Sequence, residues 1–329
     1  MTKMKQMEQM TPETVNITTE AIDKEAGQNR TERAPVCDII KKRRFGDRKD
    51  GRRVRSLPPM SQLIPYIMKE RSDAQNHISE TLDIGRVQEY INKKKSCGMS
   101  AFGFMHFIIA AYIRTVAEYP ALNRFVNGQK VFTRDGYAEV SLTIKREMKL
   151  ESPDTVVKIT LSPEDTADDV YNALNSVINE YRSVQDSGFD RTAKMLNYIP
   201  GFVKRFAFAS IRFFDYLGFL PRALTRVSPF HSSMFITSMG SLGIPPVYHH
   251  LYNLGNVPLF ISFGLRRREN VLEQDGSVRP RTVVDLKIVT DERICDGYYF
   301  AAALKSIKRY FSHPELLDER PAEVKRDID

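Results

Sequence analysis

Residues 274–311, QDGSVRPRTVVDLKIVTDERICDGYYFAAALKSIKRYF, constrain what this chain can fold into more than any other stretch. Asp275-Gly276 marks a turn, residues 282–290 form a long β-branched run, and residues 298–311 read as a closing helix. Between the run and the helix stands a charged loop, DERICDG. A turn feeding a strand, then a loop, then a helix is a building unit of an α/β chain.

The alternation extends upstream. Residues 61–70 predict a short helix, with Pro65 tolerated only in its first turns. Residues 77–83 alternate like a strand. Residues 84–95 place Ile84, Val87, Tyr90 and Ile91 on one helical face, with Asp83 as N-cap. Ser100 is expected to cap a buried helix over 101–118. Asn127-Gly128 predicts a hairpin turn within 125–132. Strands follow at 137–145 and 155–161, then a helix opened by Ser162-Pro163, then strands at 233–238 and 257–265. No internal repeat interrupts this order, and the class is α/β.

A length of 329 residues accommodates one large domain or two small ones. Cys37, Cys97 and Cys295 are odd in number and contain no CxxC pair, which argues against a disulfide framework and a thiolate zinc site and fits a reducing cytoplasm. No secretory h-region opens the chain, and no apolar stretch reaches the ~18 residues of a membrane span. No His/Asp/Glu cluster has metal-ligand spacing, and no GxGxxG, GxxxxGK or GxSxG occurs.

The net charge of +8 is local. Residues 41–55, KKRRFGDRKDGRRVR, hold nine Lys or Arg against Asp47 and Asp50, so +7 of the charge sits there. That pattern reads as a solvated linker, or as a contact for a polyanion or an anionic membrane. No sequence-specific nucleic-acid partner is expected. Residues 1–50 are expected to be a polar, basic tail, 51–318 the folded domain and 319–329 a C-terminal tail. Within the domain, 186–230 is an apolar insertion rich in Phe and broken by Lys204, Arg205, Arg212, Asp215 and Arg222. Its apolar residues cover too much of a helix for a clean amphipathic face. Burial against the core or a neighbouring subunit is therefore expected over an interfacial helix on a membrane.

The DERICDG loop at the end of a strand resembles the DHRxxDG-like signature of the 2-oxo-acid dehydrogenase acyltransferase catalytic domains, which share the chloramphenicol-acetyltransferase fold. Pro120-Ala121-Leu122-Asn123 with the following hairpin looks like the family's middle section. Phe235-Ile236-Thr237-Ser238-Met239-Gly240 looks like its TxSxLG-type strand end. The separation of 55 residues between Thr237 and Glu292 also resembles the family's spacing, and the likeness runs from about residue 52 to 318. It implies a two-layer fold with a mixed sheet packed with helices, a homotrimer, and coenzyme A or acyl-CoA as substrate. It also implies that base and oxyanion donor come from different subunits. The Ala/Pro-rich linkers and lipoyl domains of the multi-domain relatives have no counterpart here, so no lipoyl attachment site and a stand-alone enzyme are expected.

The family's catalytic histidine is replaced here by Glu292, while Asp291, Arg293, Asp296 and Gly297 match. With reference pKa values of roughly 4.3 for Glu, 6.5 for His and 8.5 for a thiol, moving a thiol proton to Glu is uphill by ~4 units, against ~2 for His. The difference of ~3 kcal/mol is about a hundredfold in rate. Burial can raise a carboxyl pKa enough to close much of that gap. Thr237 stands where the family places its oxyanion-binding hydroxyl and keeps the donor, with Ser238 as alternate if the register shifts by one. By the resemblance, Asp296 fixes the loop by pairing with an arginine, Arg293 or Arg55, and Gly297 supplies a tight turn. His249 and His250 stand as an alternative, relocated base. Two further readings remain beside the enzyme: an inactive relative that binds an acyl-CoA, a small molecule or a protein, and a peripheral membrane or polyanion binder acting through 41–55 and 200–220.

Overall fold

Alternating side chains give the central strands two different faces, and the protein covers each differently. The computed structural model describes residues 44–145, 154–183 and 198–329. In chain order the elements are β1 (Arg52–Arg53), α1 (Pro59–Ile67), β2 (Gln75–Asp83), α2 (Gly85–Ser96), α3 (Phe104–Glu118), β3 (Arg124–Asn127), β4 (Lys130–Thr133), β5 (Ala138–Lys145), β6 (Asp154–Leu161), α4 (Ala167–Ser183), α5 (Gly201–Leu217), α6 (Arg222–Val227), β7 (Met234–Ser238), β8 (Leu259–Leu272), β9 (Val278–Asp291) and α7 (Gly297–Ser312). Six strands form one mixed sheet in the order β2-β9-β8-β7-β5-β6, with β5, β7 and β8 parallel. A smaller antiparallel sheet has the order β1-β4-β3.

One face of the large sheet carries Val140, Leu142, Met234, Ile236, Ile261, Leu286 and Ile288 under the helices. Helix α3 is buried along nearly its whole length and packs against α2, α4 and α7. Among the helix starts that differ from expectation, two do so because the cap lies further along the chain. Gly103, not Ser100, caps α3, its N–H donating to Nδ1 of His106 at 3.1 Å. Thr166 precedes α4: its N–H donates to the Asp169 carboxylate at 3.1 Å and its hydroxyl accepts the Asp169 N–H at 3.3 Å.

The other face carries Phe235, Phe260 and Val289, covered by the irregular segment 245–258 through Leu251 and Val257. His249 stacks on Phe260 at 4.5 Å, and Phe260 stacks on Phe235 at 4.8 Å. Tyr248 lies edge-on to His77 and under the Lys287 ammonium. The segment lies close because Gly264 lacks a side chain; a Cβ there would stand 2.4 Å from Cδ of Pro246.

The basic stretch differs from the expected solvated linker. Within its described part, Arg48 pairs with Asp50 at 2.8 Å and Asp215 at 2.7 Å, Arg52 with Asp135 at 2.6 Å, and Arg55 with Asp47 at 2.8 Å. These arginines are taken up by carboxylates of the fold, which lowers their value to an external polyanion; residues 41–43 lie outside the described residues. The C-terminal stretch expected to be a tail is also held. Asp327 receives Nε and Nη2 of Arg124 at 2.7 and 2.6 Å, and the Asp329 carbonyl accepts the N–H groups of Arg55 and Ser56.

Helix α5 overturns the expected burial of the apolar insertion within the chain. Asp215 is its only buried residue, and the phenylalanines of the helix face outward. Residues 186–197 of that insertion lie outside the described residues. No helix among the described residues is long and apolar enough to cross a membrane.

Candidate active site

Strand β9 delivers Asp291 to its end fully buried, and the loop that follows is fastened from both sides. Arg293 grips Asp291 with two parallel bonds, Nε to Oδ1 at 2.8 Å and Nη2 to Oδ2 at 2.7 Å. Its remaining nitrogen donates to the carbonyls of Met68 and Lys69. Arg71 adds a second buried guanidinium, 3.4 Å from Asp291, and donates to the carbonyls of Tyr252 and Val126. Burial pushes the Arg71 pKa down, a shift that the Asp291 charge opposes. Sequence reasoning missed Arg71, which stands far upstream with no motif around it.

Glu292 sits between these two locked residues. Its N–H donates to the Ala74 carbonyl at 2.8 Å, and its side chain is exposed. Among the described residues it makes no ion pair. Asp296 does not pair with either expected arginine within the chain. Arg293 is committed to Asp291, and Arg55 to Asp47 and the carbonyls of Arg53 and Phe45. Asp296 instead caps α7, accepting the Tyr299 N–H at 2.8 Å. Gly297 is the first residue of that helix and has an ordinary φ. Cys295, in the same loop, has its thiol pushed up to about 12 by burial, which keeps it protonated and excludes it as a nucleophile at neutral pH.

Thr237 lies near the end of β7 on the sheet face shared by Phe235 and His249. It is nearly buried, and among the described residues its hydroxyl makes no hydrogen bond. Ser238 alternates to the helix-covered face, opposite Phe263. His249 is half-buried over Phe260, with its pKa lowered first by burial and then by the neighbouring His250. His250 is exposed and packs edge-on to Tyr252.

A single chain does not bring Thr237 and Glu292 together. Thr237 pairs with Ser262, and Ser262 with Lys287, five residues before Glu292. At ~3.3 Å per residue and ~4.8 Å per strand, the two are roughly 19 Å apart, with Thr237 level with the middle of the sheet and Glu292 just past its edge. Beside the Glu292 loop lies a cleft of about 220 Å³ lined by Lys69, Arg71, Arg212 and Arg293, with Glu70 and Asp215. Among the described residues no group of three or more His, Cys, Asp or Glu is placed to hold a metal.

No protein-family profile and no curated protein matches this sequence. Solved structures do. A probable dihydrolipoamide acetyltransferase from Listeria monocytogenes aligns over 79% of this chain and 95% of its own, at 16% identity and a TM-score of 0.51. The fold is that of the chloramphenicol-acetyltransferase-like acyltransferases. The dihydrolipoamide acetyltransferase of Azotobacter vinelandii aligns over 80% of this chain and 93% of its own, at 12% identity and a TM-score of 0.48. A chloramphenicol acetyltransferase covers 75% of this chain and 92% of its own, at 11% identity and a TM-score of 0.45.

Proposed function

We propose that the protein is a stand-alone coenzyme A-dependent acyltransferase acting as a homotrimer. Glu292 is its general base, and Thr237 of the partner subunit is its oxyanion donor. The observation that carries this reading is the frame around Glu292: an exposed carboxylate, without an ion pair among the described residues, projects between buried Asp291 and Arg293. A carboxylate kept only to stabilise the loop would be engaged by one of the arginines beside it.

The chemistry balances with these groups alone. The Glu292 carboxylate takes the proton of the acceptor's thiol, hydroxyl or amine as that atom attacks the thioester carbonyl. The Thr237 hydroxyl donates to the oxyanion that forms. Collapse breaks the carbon–sulfur bond, and the departing coenzyme A thiolate recovers the proton from Glu292. Lys69, at the cleft beside the loop, suits a phosphate of coenzyme A. Free thiols at Cys97 and Cys295 support a reducing cytoplasm as its location.

The test is acyl transfer by purified protein, with short acyl-CoAs and thiol, hydroxyl and amine acceptors. Wild type is expected to release coenzyme A, Glu292→Gln to lose roughly a hundredfold or more, and Thr237→Ala to lose a comparable factor in kcat. His249→Gln is expected to stay within a few-fold of wild type; a collapse there with Glu292→Gln unaffected moves the base to His249. A silent wild type that binds acyl-CoA, with activity gained in Glu292→His, replaces the enzyme reading by the binding one.

A further inference from the structure

We propose that helix α5 is a docking element for an anionic lipid surface. The helix is built inside-out. At about 100° per residue, Phe202, Phe206, Phe213 and Leu217 fall on one stripe. All four are exposed, Phe202 to 77% and Phe206 to 75%. The opposite side, through Ala207, Ile211 and Asp215, faces the body of the protein. Asp215 is the clamp. It receives Arg48 at 2.7 Å and lies 3.2 Å from Nε2 of His231, and Gly218 then ends the helix in the left-handed conformation at φ +81°. This anchorage holds the stripe outward.

The charge pattern selects the occupant. Arg205 and Arg212 lie seven residues apart along one edge of the stripe, and Arg222 and Arg226 follow in α6. From Tyr198 to Val227 the single acid is Asp215, which points inward and is already paired. Arg212 has Glu70 at 3.6 Å, an exposed pair of little strength. The outward surface of the segment is therefore phenylalanine and guanidinium. Phenylalanines settle at the boundary between headgroups and acyl chains, and flanking arginines meet lipid phosphates. A second copy fits this surface less well, because packing α5 on itself sets cations against cations.

The test is co-sedimentation of the full-length protein with phosphatidylglycerol–phosphatidylcholine vesicles and with pure phosphatidylcholine vesicles. The expected result is binding to the anionic vesicles that weakens as salt rises. Phe202→Ser/Phe206→Ser/Phe213→Ser and Arg205→Glu/Arg212→Glu are each expected to weaken it roughly tenfold or more. Both change only exposed positions, and thermal melts followed by circular dichroism check that they fold; if the serine variant does not, the glutamate variant decides. Absence of binding overturns the proposal. So does equal binding by the variants, which would place the contact on another segment. A serine variant of lower oligomeric mass in sedimentation velocity also overturns it, by placing a second copy on the stripe.

Discussion

Asp291 holds two buried guanidiniums, so its removal leaves two unpaired charges without water. Asp291→Asn is expected to cost about 3–5 kcal/mol in equilibrium urea unfolding. A loss below 1 kcal/mol would mean that the carbonyls of Met68, Lys69, Tyr252 and Val126 suffice for Arg293 and Arg71. His106 makes a different kind of prediction. It is buried in α3, stacked on Phe102, and burial pushes its pKa down to about 4. Between that value and the unfolded ~6.5 the folded state binds fewer protons than the unfolded one. Its contribution is complete above pH 6.5 and is lost as pH falls toward 4, at a cost of about 3 kcal/mol. His106→Gln keeps an acceptor at the capping position and should flatten that part of the stability–pH curve; an unchanged slope would place the acid sensitivity elsewhere.

At the scale of elements, the β3–β4 hairpin shows what local patterning carries. Asn127-Gly128 signals a tight turn, and a two-residue turn is there, but its centre is Gly128-Gln129, with φ of +55° and +54°. The shift of one residue follows from packing: a Cβ on Gly128 would meet the Tyr216 carbonyl at 2.6 Å, and the Tyr216 hydroxyl reaches Gln129. Glycine must occupy the crowded position, and only the α5 contact reveals which position that is. Gly128→Ala is expected to destabilise by about 2–3 kcal/mol in denaturant titration, from left-handed strain plus the clash. An effect within error would show that the hairpin and the end of α5 separate freely. The helix itself was legible as apolar and helical from its residues. Its orientation was not, since the inward turn depends on Asp215 meeting Arg48 and His231 from distant parts of the chain.

For the whole molecule, the alternation of strand and helix foretold the α/β class, and the resemblance carried by the DERICDG loop implied the mixed sheet. What the pattern could not hold was the partner of Asp291, since Arg71 has no local signature, or the covering of the second sheet face by 245–258, a segment without periodicity. The proposed sharing of the site between chains gives a further test. Glu292→Gln and Thr237→Ala proteins, each inactive, should regain about a quarter of wild-type activity when unfolded and refolded together in equal amounts, because only mixed contacts join an intact Glu292 to an intact Thr237. No recovery would place both groups within one chain's site. With its two halves roughly 19 Å apart on each chain, such an enzyme answers to its own abundance. Dilution disarms it without unfolding a single chain, and halving its expression near the assembly threshold removes more than half of its output.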